Sequence, residues 1–416
     1  MPKRIIHKLK NDSLLRDSAV LFSAGIIVNI LNYAFQLYMG RSLGPADYGI
    51  FASIVSLLYI VSVPAGTINI SIARFVSGFL GRKELGKAKY LFFKGLGKVT
   101  IFGAAGFAAI SIISPYIASF LNIPAISPVV ILGLVFFMSM IGPVANGTLQ
   151  GLQRFRKLGA VQVANASAKL ILGIALVSIG FGVNGALGSL ALAGFFGFGL
   201  SVYFLRDILK KESARFDKNR LISYSYPVFI SLFLINVMSN IDVILVKHYF
   251  TEAQAGHYAA AALIGKLVLF ASGAVTGVMF AKVAELKAIG KPAKKMLYES
   301  MFYIFAISFA AVTVYFVAPH FVLSLLFGSS YIPAVPLIGL FGLAMGFFAL
   351  ANVLVQYNLA VKEKKFIWIL AVAAVAEVAM IIMFHDSLMT VLKILTVTMA
   401  LIFSSLLIMA GKEIIE

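Results

Sequence analysis

Twelve apolar stretches, each near the ~20 residues needed to cross the ~30 Å hydrocarbon layer of a bilayer, follow one another along the chain. They run roughly over 14–38, 48–73, 96–119, 127–150, 158–180, 184–205, 221–247, 255–281, 297–318, 331–354, 366–384 and 388–410. Composition agrees with lipid as the solvent. Hydrophobic residues make up 61% of the 416 and charged residues only 12%, too little charge to cover the surface of a soluble protein of this length. The expectation is an all-α polytopic membrane protein of about twelve transmembrane helices. Cysteine is absent, which excludes a disulfide framework, cysteine-ligated zinc and thiol chemistry.

The formal net charge is +19, and its placement carries the meaning. With the spans drawn, all of the 35 lysines and arginines except Arg41, Lys169, Lys247, Lys266 and Lys393 fall on one side. They lie in the N-terminus (Lys3, Arg4, Lys8, Lys10, Arg16), in the even-numbered connections and at Lys412. The positive-inside rule makes that side cytoplasmic, with both termini inside a multi-pass cell membrane protein. Attraction to anionic lipid accounts for the remaining excess. Nucleic acid is not an expected partner, because no basic stretch is attached to a soluble module. The first apolar run is too long for a signal peptide and carries Asn29, Asn32 and Gln36, so it reads as a retained span.

The chain also repeats itself. Asn29, Gly49 and Gly66 recur 207 positions later as Asn236, Gly256 and Gly273. Ala145-Asn146 with Gln150 recurs as Ala351-Asn352 with Gln356, now 206 positions on. Six spans per copy put both halves in the same orientation, related by an axis along the membrane normal, as in parallel-repeat transporters. The expected layout is a six-helix lobe over 1–208, a charged cytoplasmic linker over 209–220 and a second lobe over 221–416. Substrate is then expected between the halves.

Polar residues inside the spans mark where chemistry could sit. Asn29, Asn32, Tyr33 and Gln36 share one face of the first span at helical spacing. The seventh span carries Asn236, Ser239 and Asn240 at corresponding places, then Asp242. These faces point either at a wet cavity or at another helix through interhelical hydrogen bonds. Asn146 with Gln150, and Asn352 with Gln356, leave the same two readings open. A charge at a helix centre costs about 2.5–3.5 kcal/mol on insertion scales, so Lys169, Lys266, Asp242 and Glu377 each need a partner, water or a role. Lys169 and Glu377 either form a structural ion pair or serve an anionic substrate and a coupling cation. Lys266 could instead snorkel to the headgroups, but it sits around ten residues inside its span, deep for that. For Asp242 a solvated helix end is the plainer reading. Arg74, with Lys94 and Lys98, either lines a basic vestibule or holds topology. No nucleophile elbow, Walker A pattern or metal-spaced histidine cluster occurs, so neither catalysis nor a metal or other cofactor is expected.

The run Gly40-Arg41-Ser42-Leu43-Gly44-Pro45-Ala46-Asp47-Tyr48-Gly49, followed by Phe51-Ala52 and by Ile72-Ala73-Arg74-Phe75, resembles the polysaccharide or O-antigen (Wzx-type) flippases. These belong to the MATE-like (MOP) exporter superfamily, with the MATE drug exporters and the lipid II flippases. The resemblance implies translocation of a lipid-linked oligosaccharide from the inner to the outer leaflet by alternating access. A polyprenyl pyrophosphate head is anionic, and the candidates to meet it, by position rather than motif, are Lys169 and Lys266, with Arg74 at the mouth. Asn29, Asn32, Tyr33, Gln36, Asn236 and Asn240 would meet sugar hydroxyls. Asp242 or Glu377 would couple transport to Na+ or H+, and the protein would work as a monomer. A cation-coupled multidrug exporter is the alternative within transporters. A membrane glycosyltransferase or ligase, or a non-transporting scaffold, stands outside them. The repeat keeps its glycines and amides in both halves but not its charges, so substrate and ion are sought at the asymmetric residues.

Overall fold

The computed structural model describes residues 13–210, 212–214, 219–288, 294–361 and 365–415. Of the basic residues discussed above, Lys3, Arg4, Lys8, Lys10, Lys211, Arg215, Lys218, Lys291, Lys362 and Lys364 lie outside them, as does part of the 209–220 linker. The elements are α1 Ser13–Val61, α2 Val63–Gly81, α3 Leu85–Phe120, α4 Ser127–Gly151, α5 Phe155–Leu176, a π turn Val177–Phe181 and α6 Gly182–Leu209. Then come α7 Asn219–Tyr249, α8 Glu252–Ala288, α9 Lys294–Val317, α10 Pro319–Leu326 and a 3-10 turn Ser329–Ala334. The chain closes with α11 Val335–Val361, α12 Phe366–Met383 and α13 Leu388–Ile415. The protein is a multi-pass membrane protein; among the described residues, eleven segments are long and apolar enough to span.

Two of those segments contain a sharp turn that the twelve-span reading placed between spans. At Gly44 the backbone takes φ 75°, which glycine adopts without a Cβ clash, and Pro45 then opens the next helix with its preset φ. Gly180 and Gly182, at φ 96° and 50°, turn α5 into α6. The α1–α2 junction is a lesser break. Ser62 N still donates to Leu58 O at 2.9 Å, so residues 45–81 continue as one bent pass around Pro64.

Lipid-facing helices cannot rely on the hydrophobic effect to meet each other, and close packing on small residues takes its place. On α4 a Cβ at Gly147 would lie 2.7 Å from the Asn69 carbonyl oxygen of α2, and one at Gly151 would lie 2.6 Å from that of Ala73. Gly151→Leu is therefore expected to push α2 from α4 and destabilise the protein by about 1–3 kcal/mol, read as a lower Tm in detergent. Arg154 makes a two-nitrogen contact with Asp207 and also donates to the Phe204 carbonyl at 2.9 Å. This bidentate pair ties the α4–α5 connection to the end of α6.

The described chain divides into two compact units. Unit 1 comprises residues up to Leu43 together with Leu57–Phe233, and unit 2 comprises Gly44–Ser56 with Leu234–Glu416. The sequence-drawn boundaries differ from this division in two places: 44–56 groups with the second unit, and 221–233 with the first. The core of unit 1 gathers Ile72, Val76, Phe92, Val144, Leu149, Leu158 and Leu205. In unit 2, α11 is buried along most of its length, with Phe341, Met345 and Leu354 closed from solvent. Phe302, Phe305 and Phe309 of α9 and Ile101, Ile112 and Tyr116 of α3 stay exposed, as suits a lipid-facing surface.

Candidate functional site

In unit 1 the seam between α1 and α5 sets the position of Lys169. A Cβ at Gly173, one turn beyond the lysine, would lie 2.6 Å from the Phe35 ring and 2.8 Å from Met39 Cε, so α5 lies close against α1. Tyr38 OH and Ser178 Oγ, 3.0 Å apart, hold the same seam further along. Lys169 Nζ donates to Asn32 Oδ1 and stands 4.8 Å above the Phe35 ring centre, a cation–π contact. An ammonium has three protons, and this one is half-buried. Among the described residues, no carboxylate forms an ion pair with it. Lys169 is an oriented cation with no countercharge among the described residues.

Unit 2 holds its lysine differently. Asn240, 5% exposed, donates through Nδ2 to the Asn236 carbonyl at 3.0 Å and accepts from Lys266 Nζ at 3.1 Å. Two residues on, Asp242 accepts from Tyr258 OH at 3.0 Å through Oδ2, while Oδ1 has no hydrogen-bond partner. Lys266 is near enough to Asp242 for their charges to interact. Glu377 of α12 is fully buried, neither of its carboxyl oxygens is hydrogen bonded, and it lies near enough to Asp242 and Tyr258 to interact with them electrostatically. Close packing supports the cluster from behind: Tyr258 meets Phe341 edge-on at 4.8 Å, and a Cβ at Gly265 would lie 2.9 Å from Phe341 Cβ. The arrangement is one lysine and two carboxyls with three carboxyl oxygens unpartnered, all in an apolar interior.

The structure thus brings Asn32 to Lys169, Asn240 to Lys266, and Asp242 towards Glu377. Lys266, deep inside its span, turns to the Asn240 amide. The solvated helix end considered for Asp242 is not what is found: the side chain is 1% exposed, because α8 covers that face of α7 through Tyr258. Asn29 is exposed, as are Arg74, Lys94 and Lys98; Tyr33, Gln36 and Asn236 are half-buried. Asn146 accepts from Ser201 Oγ at 2.9 Å, which is helix packing between α4 and α6. Sequence reasoning missed Tyr258 and Phe35. A lone tyrosine before a run of alanines gives no signal. Phe35 and Met39 at i, i+4, matched by Lys169 and Gly173 at the same spacing, offered one that went unread.

Residues 38–336 match the family model described as polysaccharide biosynthesis protein. No curated protein matches the chain. Several solved structures share the fold. A multidrug resistance MATE family transporter of the MOP superfamily, in an inward-facing conformation, superposes with a TM-score of 0.76 at 14% identity, covering 95% of this chain and 98% of that one. A variant of the Vibrio cholerae MATE transporter VcmN gives 0.71 at 13% identity, with 96% and 98% covered. A MOP superfamily transporter from Pyrococcus furiosus, described as having a binding pocket of reversed polarity, gives 0.61 at 17% identity, with 96% and 95% covered. The chain belongs to the polysaccharide biosynthesis protein family and has the fold of the MOP superfamily transporters.

Proposed function

We propose that this transporter is a flippase that carries a lipid-linked oligosaccharide, anionic at its pyrophosphate, from the inner to the outer leaflet of the cell membrane. The observation that carries this reading is Lys169, held by Asn32 and Phe35 with no carboxylate paired to it. A cation kept in a low-dielectric layer without a countercharge is costly, and an anionic cargo relieves that cost. Asn32, with Tyr33 and Gln36 on the same helix, supplies amide and phenol groups of the kind that hydrogen-bond sugar hydroxyls. The basic residues of the even-numbered connections face the cytoplasm, where such a precursor would be loaded. Asp242 and Glu377 are the site of ion coupling: with Lys266 offsetting one carboxylate, one monovalent cation or proton balances the other.

Native lipid extract incubated with the purified protein should leave a polyprenyl-pyrophosphate oligosaccharide bound, identified by mass spectrometry. Recovery of only bulk phospholipid would count against this cargo. The buried carboxyls of unit 2 favour a second reading, a cation-coupled drug exporter. Expression in a drug-sensitive host should leave resistance to lipophilic cations unchanged; a rise would favour that reading.

A further inference from the structure

The two faces of α6 differ in kind. Towards α4 and α5, a Cβ at Gly197 would lie 2.5 Å from Asn165 Nδ2, and Ser201 Oγ donates to Asn146 at 2.9 Å. Residues two positions further on point to the opposite side of the helix and are left uncovered. Leu192, Phe196, Gly199 and Tyr203 follow one another at helical spacing along that side, and all four are exposed. Gly199 is a notch in this apolar stripe: a Cβ there would meet nothing within 4 Å.

The stripe ends in charge. Arg206, a turn past Tyr203, holds its guanidinium 4.7 Å from the centre of that ring, and exposed Lys210 follows a turn later, just past the end of α6. Stacking uses the face of a guanidinium and leaves its edge of N–H donors open, so the ring aims the group without consuming its hydrogen bonds. Asp207, next along the chain, is already engaged by Arg154 through both oxygens. Among the described residues, no carboxylate pairs with Arg206 or Lys210. Lys157 of α5, 5.7 Å from the centre of the Phe204 ring, adds a third cation at this end.

We propose that this face of α6 is a binding site for one anionic phospholipid of the bilayer, phosphatidylglycerol, separate from the cargo site. An acyl chain lies in the notch at Gly199, between Phe196 and Tyr203, and the phosphate is held by Arg206 and Lys210. Residues four apart on a helix have Cβ atoms about 5–6 Å apart, a span that one phosphate bridges, so the site fits a single-phosphate lipid. By the positive-inside rule the basic end of α6 is cytoplasmic, the side on which anionic headgroups attract basic residues. Diffuse attraction of that kind needs neither a stacked ring nor a notch; here all three coincide on one stripe.

The test uses full-length protein in phosphatidylcholine vesicles with a trace of lipid carrying a photoreactive group on its acyl chain. Labelling of α6, mapped by mass spectrometry, should be about tenfold or more greater with a phosphatidylglycerol probe than with a phosphatidylcholine probe. Arg206→Ala with Lys210→Ala should bring the two probes level. Lys94→Ala with Lys98→Ala, which removes two exposed lysines of α3, should leave the preference as it was. Equal labelling in the unsubstituted protein, or a preference that survives the loss of Arg206 and Lys210, would overturn the site. A second arm keeps the charges. Gly199→Leu fills the notch on an uncovered face, where folding is not at stake, and should lower phosphatidylglycerol labelling by about threefold or more. Full labelling with the notch filled would reduce the site to loose surface charge and overturn it. Displacement of the probe by an equal amount of a polyprenyl phosphate would give the groove to the cargo, which also overturns it.

Discussion

Vesicles containing Lys169→Ala protein are expected to translocate lipid-linked oligosaccharide about ten- to a hundredfold more slowly than those with the unsubstituted chain. Alanine removes the cation over the Phe35 ring and leaves Asn32 Oδ1 without its donor. A hydrogen bond to a charged group contributes about 1.5–3 kcal/mol, which sets that range if the contact is made as the cargo crosses. Lys169→Arg keeps the charge but widens the head against Gly173 and Phe35, so it should recover part of the rate. The assay is leaflet accessibility of a labelled precursor, with Lys94→Ala as a control, since that lysine is exposed on α3. Equal rates for the Lys169→Ala and unsubstituted proteins would remove this residue from the transport path. Lys266→Ala should lose less. Asp242 already offsets that lysine, so removing it also relieves a carboxylate of its partner instead of simply deleting an attraction for cargo.

The second large effect separates stability from coupling at Glu377. Its side chain is fully buried with both oxygens unpartnered, a cost that folding alone would not retain. Replacing a buried charged group by an apolar one of similar size is often neutral or stabilising, so Glu377→Met is expected to raise stability by about 1–3 kcal/mol. Thermal unfolding in detergent reads this as a higher Tm. The same substitution should abolish any response of translocation to an imposed proton or sodium gradient, because the Asp242 site then has only one carboxyl to be neutralised. A lower Tm would mean that Glu377 has a structural partner and that the unpartnered reading is wrong. A higher Tm with an unchanged gradient response would confine coupling to other groups.

Much of the protein was legible from the chain. Runs of some twenty apolar residues can satisfy their backbone in lipid only within themselves, so helices and their approximate ends follow from local sequence. The rarity of charge within those runs singles out Lys169, Lys266, Asp242 and Glu377 from sequence alone. Their surroundings were less readable. Asp242 lies near the end of α7 and looked open to solvent, because nothing in the linear sequence says that Tyr258 covers it. The polar face of the first span gave Asn29, Asn32, Tyr33 and Gln36 equal standing; the structure shows Asn32 accepting from the lysine. The repeat offered Gly49 and Gly256 as matched anchors without showing that they touch.

By itself, then, the sequence determined the solvent of this protein, its helical passes, its duplication and the few side chains too polar to be in lipid without a reason. These are properties of single segments, set by backbone hydrogen bonding and transfer cost. The tertiary structure decided which amide receives which lysine, 137 positions apart for Asn32 and Lys169, and that, among the described residues, one lysine stands near a carboxylate while the other pairs with none. It also assigned residues 44–56 to unit 2. Such outcomes depend on how closely two helices approach, which small residues permit but do not specify, so they appear only once the helices are packed.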